Sequence, residues 1–422
     1  MKVLALFPRM PVPPRDGGAV VMLETLRELH NAGNHVDVFL VNTKRHFAEP
    51  EELQPYCDTL CTYSIDTTVT WYGALRNLIF PKRQVWDPHH PLSYWLERFV
   101  DDKAIAKLVA MYREHGPYDI IHSESLFSVE MSARLQQALR RLGIDAPPII
   151  YRSHNVEHQL QLRMGKEATR GLLERTYRRL LAIQTERNER TVVKQVDGVV
   201  TVSASDADIY QSYEPSQYVE SIFPGVSSPT DEAVAHAART PNTIALLGSL
   251  EWPPNVKGAV WFVEEVMPRI LKQRPGVVLH MAGRRPVKEV LDLHDGRTVI
   301  VHGEVADAHG FRMNYAVNVV SVHSGGGIRI KILDCLGMGC PVVSTTLGAS
   351  GLPVQNGEHL LIADTADAFA DACVHLLEHP QEATAMALRG RAYVTEHFSW
   401  AARIRQLINF MNNVMQRSTT AS

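Results

Sequence analysis

The run Gly325-Gly326-Gly327-Ile328-Arg329-Ile330-Lys331-Ile332-Leu333-Asp334 sets glycines, two cations and a carboxylate side by side. Glycine has no Cβ, so its backbone can come close to a ligand. Where a helix starts after such a loop, its first amides lack intrahelical acceptors and lie at the positive end of the helix dipole. That combination suits a phosphate. Arg329 can offer a planar fork to phosphate oxygens, and Lys331 a point charge. Being two apart, they do not share a face of a regular helix. Arg329 is therefore expected in an irregular first turn, or one of the two makes the weaker contact. Asp334 could accept hydrogen bonds from hydroxyl groups. A flexible glycine loop before an exposed charged helix is the plainer account of the same residues.

Two other clusters have the residue types for ligand contact. Asp16-Gly17-Gly18 separates an apolar run from a helical pattern near the start of the chain. It is not the dinucleotide fingerprint G-x-G-x-x-G, and a tight turn would explain it equally well. Ser153-His154-Asn155-Val156-Glu157-His158 follows an apolar run, so His154 falls at the carboxyl end of a strand. His154 and His158 are four apart, but the zinc pattern H-E-x-x-H is absent, and no metal is expected. Cys57 and Cys61 could face each other on a helix turn, with no further ligands beside them.

The elements that must position these residues alternate regularly. Val3 to Phe7 is a short apolar run, read as a strand buried on both faces of a parallel sheet. A proline-rich loop follows, then Ala19 to Asn31 with Val20, Leu23, Leu26 and Leu29 at helical spacing. Strands are read at Val36 to Val41, Tyr118 to His122, Ile149 to Arg152 and Gly198 to Val202, with helices at Glu130 to Leu142 and Leu172 to Lys194. The mixed charges from Arg170 to Arg190 read as a solvated helix face. The stretch from Pro215 to Thr243 is poor in pattern and holds the linker. A second series follows, with strands at Ile244 to Leu247, Val277 to Ala282, Val299 to His302, Val317 to Val322 and Pro341 to Ser344. Its helices are Val260 to Lys272, Ile328 to Met338, Thr365 to Leu377 and Gln381 to Glu396, and Trp400 to Met415 is amphipathic. The implied organisation is two open α/β domains, residues 1–215 and 216–396, plus a terminal helix in 397–422. Such sheets bind ligands at the carboxyl ends of their strands.

Bulk properties narrow the class. The chain has 422 residues, enough for two or three domains, and 45% hydrophobic with 21% charged residues is the balance of a folded globular protein. A net charge of -3 offers no general attraction for nucleic acid, and none is expected as a partner. Five cysteines in so long a chain do not make a disulfide scaffold. The apolar run at the N-terminus is too short for a signal sequence, and no 18-residue apolar stretch exists, so a cytoplasmic location is the default.

The motifs together resemble a known family. GGGIRIKILDCLGMGCPVVSTTLGASGL, residues 325–352, is similar to the donor-binding signature of glycosyltransferase family 4. PPRDGG, YRSHNVEH, GSLEWPPNVKG at Gly248, MAGRRP at Met281 and HFSW at His397 extend the likeness in order along nearly the whole chain. The resemblance implies a GT-B fold, with two Rossmann-like domains facing a central cleft and the terminal helix crossing back to the first. It implies a retaining transferase that uses a nucleotide-sugar donor, a UDP-sugar in preference to a GDP-sugar, with no cofactor and no obligatory metal. Gly17 and Gly18 would approach the donor, His154 would contact its sugar, and Arg329 and Lys331 would neutralise the diphosphate beside Gly325, Gly326 and Gly327. Val301 and Glu304, in the segment around Val301 to Val305, would flank the base. Asp334 stands where the family has a glutamate that holds the ribose. The family usually has two glutamates around this helix, and here the first position is Gly326.

The acceptor is left open as a glycan, a lipid-linked or a small molecule. The aromatic and basic segment Trp71 to Trp95 could lie near it or make peripheral contact with a membrane, or simply pack on the first sheet. A nucleotide-sugar hydrolase or epimerase of the same fold, or a non-catalytic sugar-nucleotide-binding protein, is the alternative reading.

Overall fold

Val3 to Phe7 is almost wholly buried because β1 (Lys2–Phe7) lies inside a seven-stranded sheet. The computed structural model describes residues 1–14, 16–166, 172–226, 229, 234, 238–324 and 330–421. Beside β1 run β2 (His35–Thr43) and β3 (Thr59–Ile65) on one side. On the other are β4 (Ile120–Glu124), β5 (Ile149–Ser153), β6 (Gly198–Thr201) and β7 (Val219–Ser221). The order is β3-β2-β1-β4-β5-β6-β7, and all pairings are parallel. Alternate residues serve opposite faces. Val3, Ala5 and Phe7 join a cluster with Met22, Leu23, Leu26 and Leu29 of the helix Gly17–Asn31. Leu4 and Leu6 join another with Val129, Leu135 and Leu139 of the helix Leu126–Arg141.

The C-terminal helix Trp400–Ala421 adds Ile404, Leu407, Phe410, Met411 and Val414 to the first of these clusters. It fits against β6 because residue 198 is glycine. A Cβ there would lie 2.7 Å from Val414 Cγ2 and 2.8 Å from Phe410 Cζ. The chain accordingly divides into Met1–Phe223 with Arg403–Ser422, and Pro224–Ala402.

The second unit repeats the plan with β8 (Thr240–Leu247), β9 (Val278–Ala282), β10 (Val299–Gly303), β11 (Tyr315–Val320), β12 (Val342–Ser344) and β13 (Leu361–Ile362). The order is β10-β9-β8-β11-β12-β13, again all parallel. Both sheets are Rossmann-like, and each reverses strand order next to its first strand, between β1 and β4 and between β8 and β11. A crevice at the carboxyl strand ends follows from that reversal.

Three expectations need correction. The strand expected at Tyr118 to His122 runs two residues later, because Val3 pairs with Ile120 and the Tyr118 hydroxyl instead donates to buried Asp37, 2.8 Å away. Cys57 and Cys61 do not share a helix turn: Cys57 is extended at the end of the short turn Gln54–Tyr56, and Cys61 belongs to β3, a strand the pattern did not show. The helix expected from Val260 starts earlier, at Pro253–Trp261, where prolines at the first positions cost nothing. It then passes through a π-helical turn, Phe262–Val266, into Met267–Gln273. Among the described residues, no helix is long and apolar enough to cross a membrane.

The tightest backbone approach in the second sheet lies between the ends of β8 and β9. A Cβ on Gly283 would sit 1.6 Å from the Gly248 carbonyl oxygen, an atom that cannot swing aside. Gly283→Ala should therefore destabilise the second unit by about 1–3 kcal/mol or more, read as a lower midpoint in chemical unfolding. An unchanged midpoint would show that the two strand ends can part without cost.

Candidate active site

At the crevice of the first sheet, the chain leaving β1 meets the start of the helix Gly17–Asn31. Asp16 begins that helix: it is extended (φ -149, ψ 168), and its carboxylate accepts from the Ala19 amide at 3.0 Å. Arg9 grips both carboxylate oxygens, at 2.7 and 2.5 Å. Burial raises the Asp16 pKa, but the Arg9 and Ala19 hydrogen bonds outweigh it and bring it down to about 2. Gly17 and Gly18 differ in what surrounds them. Nothing lies within 4 Å of a Cβ built on Gly17. A Cβ on Gly18 would stand 3.0 Å from Arg9 Nη2 and 3.3 Å from His154 Nδ1. The structure thus brings His154 to the Gly-Gly turn.

His154 is held from behind. Its Nε2 lies 2.5 Å from Glu124 Oε2. Glu124 is fully buried at the end of β4, and His122, two residues back on the same strand face, puts Nε2 2.8 Å from Oε1. Arg152 is paired with Glu124 in the β4–β5 register, with Nη1 3.5 Å from Oε1, and it also donates to the Thr25 hydroxyl. Burial alone would push the Glu124 carboxyl up, yet Arg152, His154 and His122 hold it well below the ordinary glutamate range. A carboxylate accepts, so His154 presents Nε2–H to Glu124 and turns Nδ1 toward Gly18.

His158 does not converge with His154. Its Nδ1 lies 2.6 Å from Glu189, a buried residue of the helix Leu172–Gln195 that also accepts from the Glu157 amide and the Tyr210 hydroxyl. The charged helix has the expected solvated face at Arg175, Arg179, Arg187 and Arg190, and it buries Asn188 and Glu189.

In the second unit, Gly248 at the end of β8 leaves room for Asn255 and Lys331. A Cβ there would lie 3.0 Å from Asn255 Nδ2 and 3.3 Å from Lys331 Nζ. Lys331 donates to Asn255 Oδ1 at 2.9 Å. Lys331 and Asp334 belong to the helix Ile330–Gly337. Asp334 accepts from Arg312 Nη1 at 3.2 Å, and Arg312 is itself buried. Val301 is half-buried against the core, and Glu304 is exposed just past β10. Gly325, Gly326, Gly327 and Arg329 lie outside the described residues.

Sequence reasoning missed Glu124, His122, Arg152, Arg9, Asn255 and Arg312. The available signal was His122-Ser123-Glu124, polar types closing a strand that begins with Ile120 and Ile121. No pattern in one sequence pairs Glu124 with Arg152, because parallel register is not local.

Two parallel sheets of this order, each with glycine and charged side chains at its carboxyl end, have the architecture of the two Rossmann-like domains of a GT-B protein. Residues 15–228 match the model of Glycosyltransferase Family 4, and residues 241–379 match Glycosyl transferases group 1. The chain belongs to glycosyltransferase family 4 and is a retaining glycosyltransferase. It is 19% identical over 414 residues to an "Uncharacterized 44.6 kDa protein in cps region" of Klebsiella pneumoniae, spanning 94% of this chain and 96% of that one. Among solved structures, Anabaena HepE in complex with UDP aligns at TM-score 0.63 and 13% identity, over 98% of this chain and 100% of that one. Sucrose-phosphate synthase of Thermosynechococcus elongatus aligns at 0.61 and 18%, over the whole of both.

The Glu124 cluster makes a pH prediction. A depressed folded pKa means that its stabilisation is present above the unfolded value, roughly 4.3, and is lost as pH falls toward the folded one. Glu124→Gln leaves Arg152 buried without its counter-charge and should cost about 3–5 kcal/mol near neutral pH. The gap from wild type should narrow on acidification below about pH 4. Urea titrations at several pH values read this, and a constant gap would show that Glu124 is not ionised in the fold.

Proposed function

We propose that the chain transfers a sugar from a UDP-sugar, rather than a GDP-sugar, to a glycan, lipid-linked or small-molecule acceptor, in polysaccharide or glycoconjugate biosynthesis in the cytoplasm. We assign the acceptor to the N-terminal domain, 1–215, and the donor to 216–396, with 397–422 as the returning helix. The observation that carries the site is the Gly18–His154–Glu124 contact at a sheet crevice, where a fixed imidazole stands beside a glycine turn. HepE structures with UDP and with UDP-glucose support the choice of base.

In this reading His154 Nδ1 contacts the donor sugar beside Gly17 and Gly18. Lys331 and Arg329 meet the diphosphate, with Gly325, Gly326 and Gly327 supplying backbone amides. Asp334 takes the ribose, and Val301 and Glu304 flank the base. As the glycosidic bond breaks, negative charge grows on the diphosphate, so cations placed there favour the transition state over bound donor. The Asp334–Arg312 pair adds a condition: the ribose contact uses the carboxylate oxygen that Arg312 leaves available.

Donor titration and steady-state kinetics test these roles. His154→Ala should lower the rate strongly, and because it also removes the partner of buried Glu124 Oε2 it should cost roughly 1.5–3 kcal/mol of stability, so its rate is read well below its melting temperature. Lys331→Ala should lose about ten- to a hundredfold, mostly in turnover, the equivalent of a charge-assisted contact of roughly 1.5–3 kcal/mol. Asp334→Ala should weaken donor binding, a contact shared by ground and transition states. Unchanged rates and affinities in all three would remove these residues from the site. Free sugar released without an acceptor would favour a hydrolase, and donor binding without turnover a non-catalytic protein.

We also infer a peripheral membrane contact through the helix Trp71–Ile79. Trp71 is 78% and Phe80 74% exposed, with Tyr72, Leu75 and Ile79 exposed beside them. An apolar face of this kind on a folded protein marks an interaction surface. Sedimentation with anionic vesicles should be reduced in Trp71→Ser/Phe80→Ser at unchanged melting temperature. Equal sedimentation of wild type and variant would exclude this face.

A further inference from the structure

The corner between the helices Ala366–Glu378 and Pro380–Phe398 carries two histidines and a carboxylate that donor and acceptor chemistry do not use. We propose that His375, His379 and Glu382 form a binding site for a divalent transition-metal ion of the zinc type.

The chain bends here so that the three converge. His375 is in the last turn of the first helix, His379 is the junction residue (φ -118, ψ 64), and Glu382 lies in the first turn of the second helix. One ligand atom from each lies within 4.8 Å of the others. The inner faces of the same helices, through Phe369, Cys373 and Leu376 of the first and Ala383 and Met386 of the second, are fixed in the core. The corner is therefore anchored from beneath while its three polar side chains face out.

The hydrogen-bonding pattern selects the metal-competent form. His379 Nδ1 lies 2.9 Å from the His375 carbonyl oxygen. A carbonyl only accepts, so Nδ1 carries the proton and Nε2 keeps its lone pair. A backbone carbonyl behind one ring nitrogen is the usual support of a metal-bound histidine. On the other side, His375 Nε2 stands 3.3 Å from Glu382 Oε1. Ligands about 2.0–2.1 Å from a tetrahedral zinc stand roughly 3.3–3.4 Å apart, so this pair already has the spacing of one edge. The two rings are 4.6 Å apart between centroids and inclined by 32°. The His375 and Glu382 side chains are 43% and 63% exposed, so they can rotate to close the remaining edges and an ion can reach them.

Two imidazole nitrogens and one carboxylate oxygen suit Zn²⁺, Co²⁺, Ni²⁺ or Cu²⁺ and not Ca²⁺ or Mg²⁺, which take oxygen sets. Water would fill the fourth position. A bound ion would tie the end of one helix to the first turn of the next, and because the helix corner holds the three ligand atoms together, it would stabilise the folded state.

The test uses the untagged full chain. Co²⁺ titration should give a saturable visible spectrum of four-coordinate cobalt, displaced by Zn²⁺, and Zn²⁺ should raise the melting temperature. His375→Ala and His379→Ala should each weaken binding at least about tenfold and lose the melting shift, and Glu382→Gln should weaken it less. Transfer activity and metal-free melting of His375→Ala should match wild type. No saturable binding by wild type, binding of Ca²⁺ as strong as Zn²⁺, or wild-type affinity in the His375→Ala/His379→Ala double variant would overturn the site.

Discussion

Glu124 has no exposed surface, and a carboxylate in that position exists as a charge only if cations and donors surround it. Arg152, His122 and His154 do so, and each comes from a different demand of the fold. Arg152 arrives because β5 lies beside β4 in the register that sets residue 152 against residue 124. His122 arrives because strand residues two apart share a face. His154 arrives because the chain turns immediately past the end of β5. Arg152 extends the cluster to Thr25 on the helix Gly17–Asn31, so the same charge ties that helix to the sheet. The orientation of His154 toward Gly18 is a consequence of this arrangement rather than an independent feature.

The second unit solves a related problem with backbone instead of buried charge. β8 and β9 end so close together that residue 283 must lack a Cβ, and Gly248 on the facing strand has its own small space filled by Asn255 and Lys331. A larger residue at either place would move the strand end or the lysine. The cation is thereby held at the carboxyl edge of the sheet, and the Arg312–Asp334 pair holds the next turn of the same helix. The first crevice combines a buried carboxylate with a histidine, and the second combines glycines with cations.

Buried polar groups also organise the inner face of a charged helix. The helix Leu172–Gln195 exposes Arg175, Arg179, Arg187 and Arg190, the solvated face expected of its charges, while Glu189 is buried and satisfied by the Glu157 amide, His158 and Tyr210. Such a network is stable only when every member has its partner. His158 is spent on it, which is why the i, i+4 spacing from His154 produces no chelate. Gln84 joins the same helix through the Asn188 carbonyl and side chain, so the segment before it is anchored even though the helix Trp71–Ile79 leaves its apolar face to solvent.

Much of the fold was legible in local pattern. Apolar runs of strand length alternate with helical spacing, and that periodicity depends only on neighbours in sequence, so β1, β2, β5, β6, β8 and β9 and the helices Gly17–Asn31 and Leu172–Gln195 could be placed within a few residues. The same locality marked Gly17, Gly18 and Lys331, because glycine freedom and charge are properties of the residue itself. β3 was invisible, since its residues are half-buried at a sheet edge and do not alternate cleanly. The partners were invisible for a stronger reason. Whether Glu124 meets Arg152, whether His154 faces Gly18 and His158 faces Glu189, and whether Gly283 touches Gly248 depend on parallel register between strands far apart in the chain. One residue of slip reverses every side chain. The sequence alone determined which elements form and which residue types stand at their ends; only tertiary structure decided which of those residues meet, because strand pairing and burial, not spacing along the chain, set the distances between them.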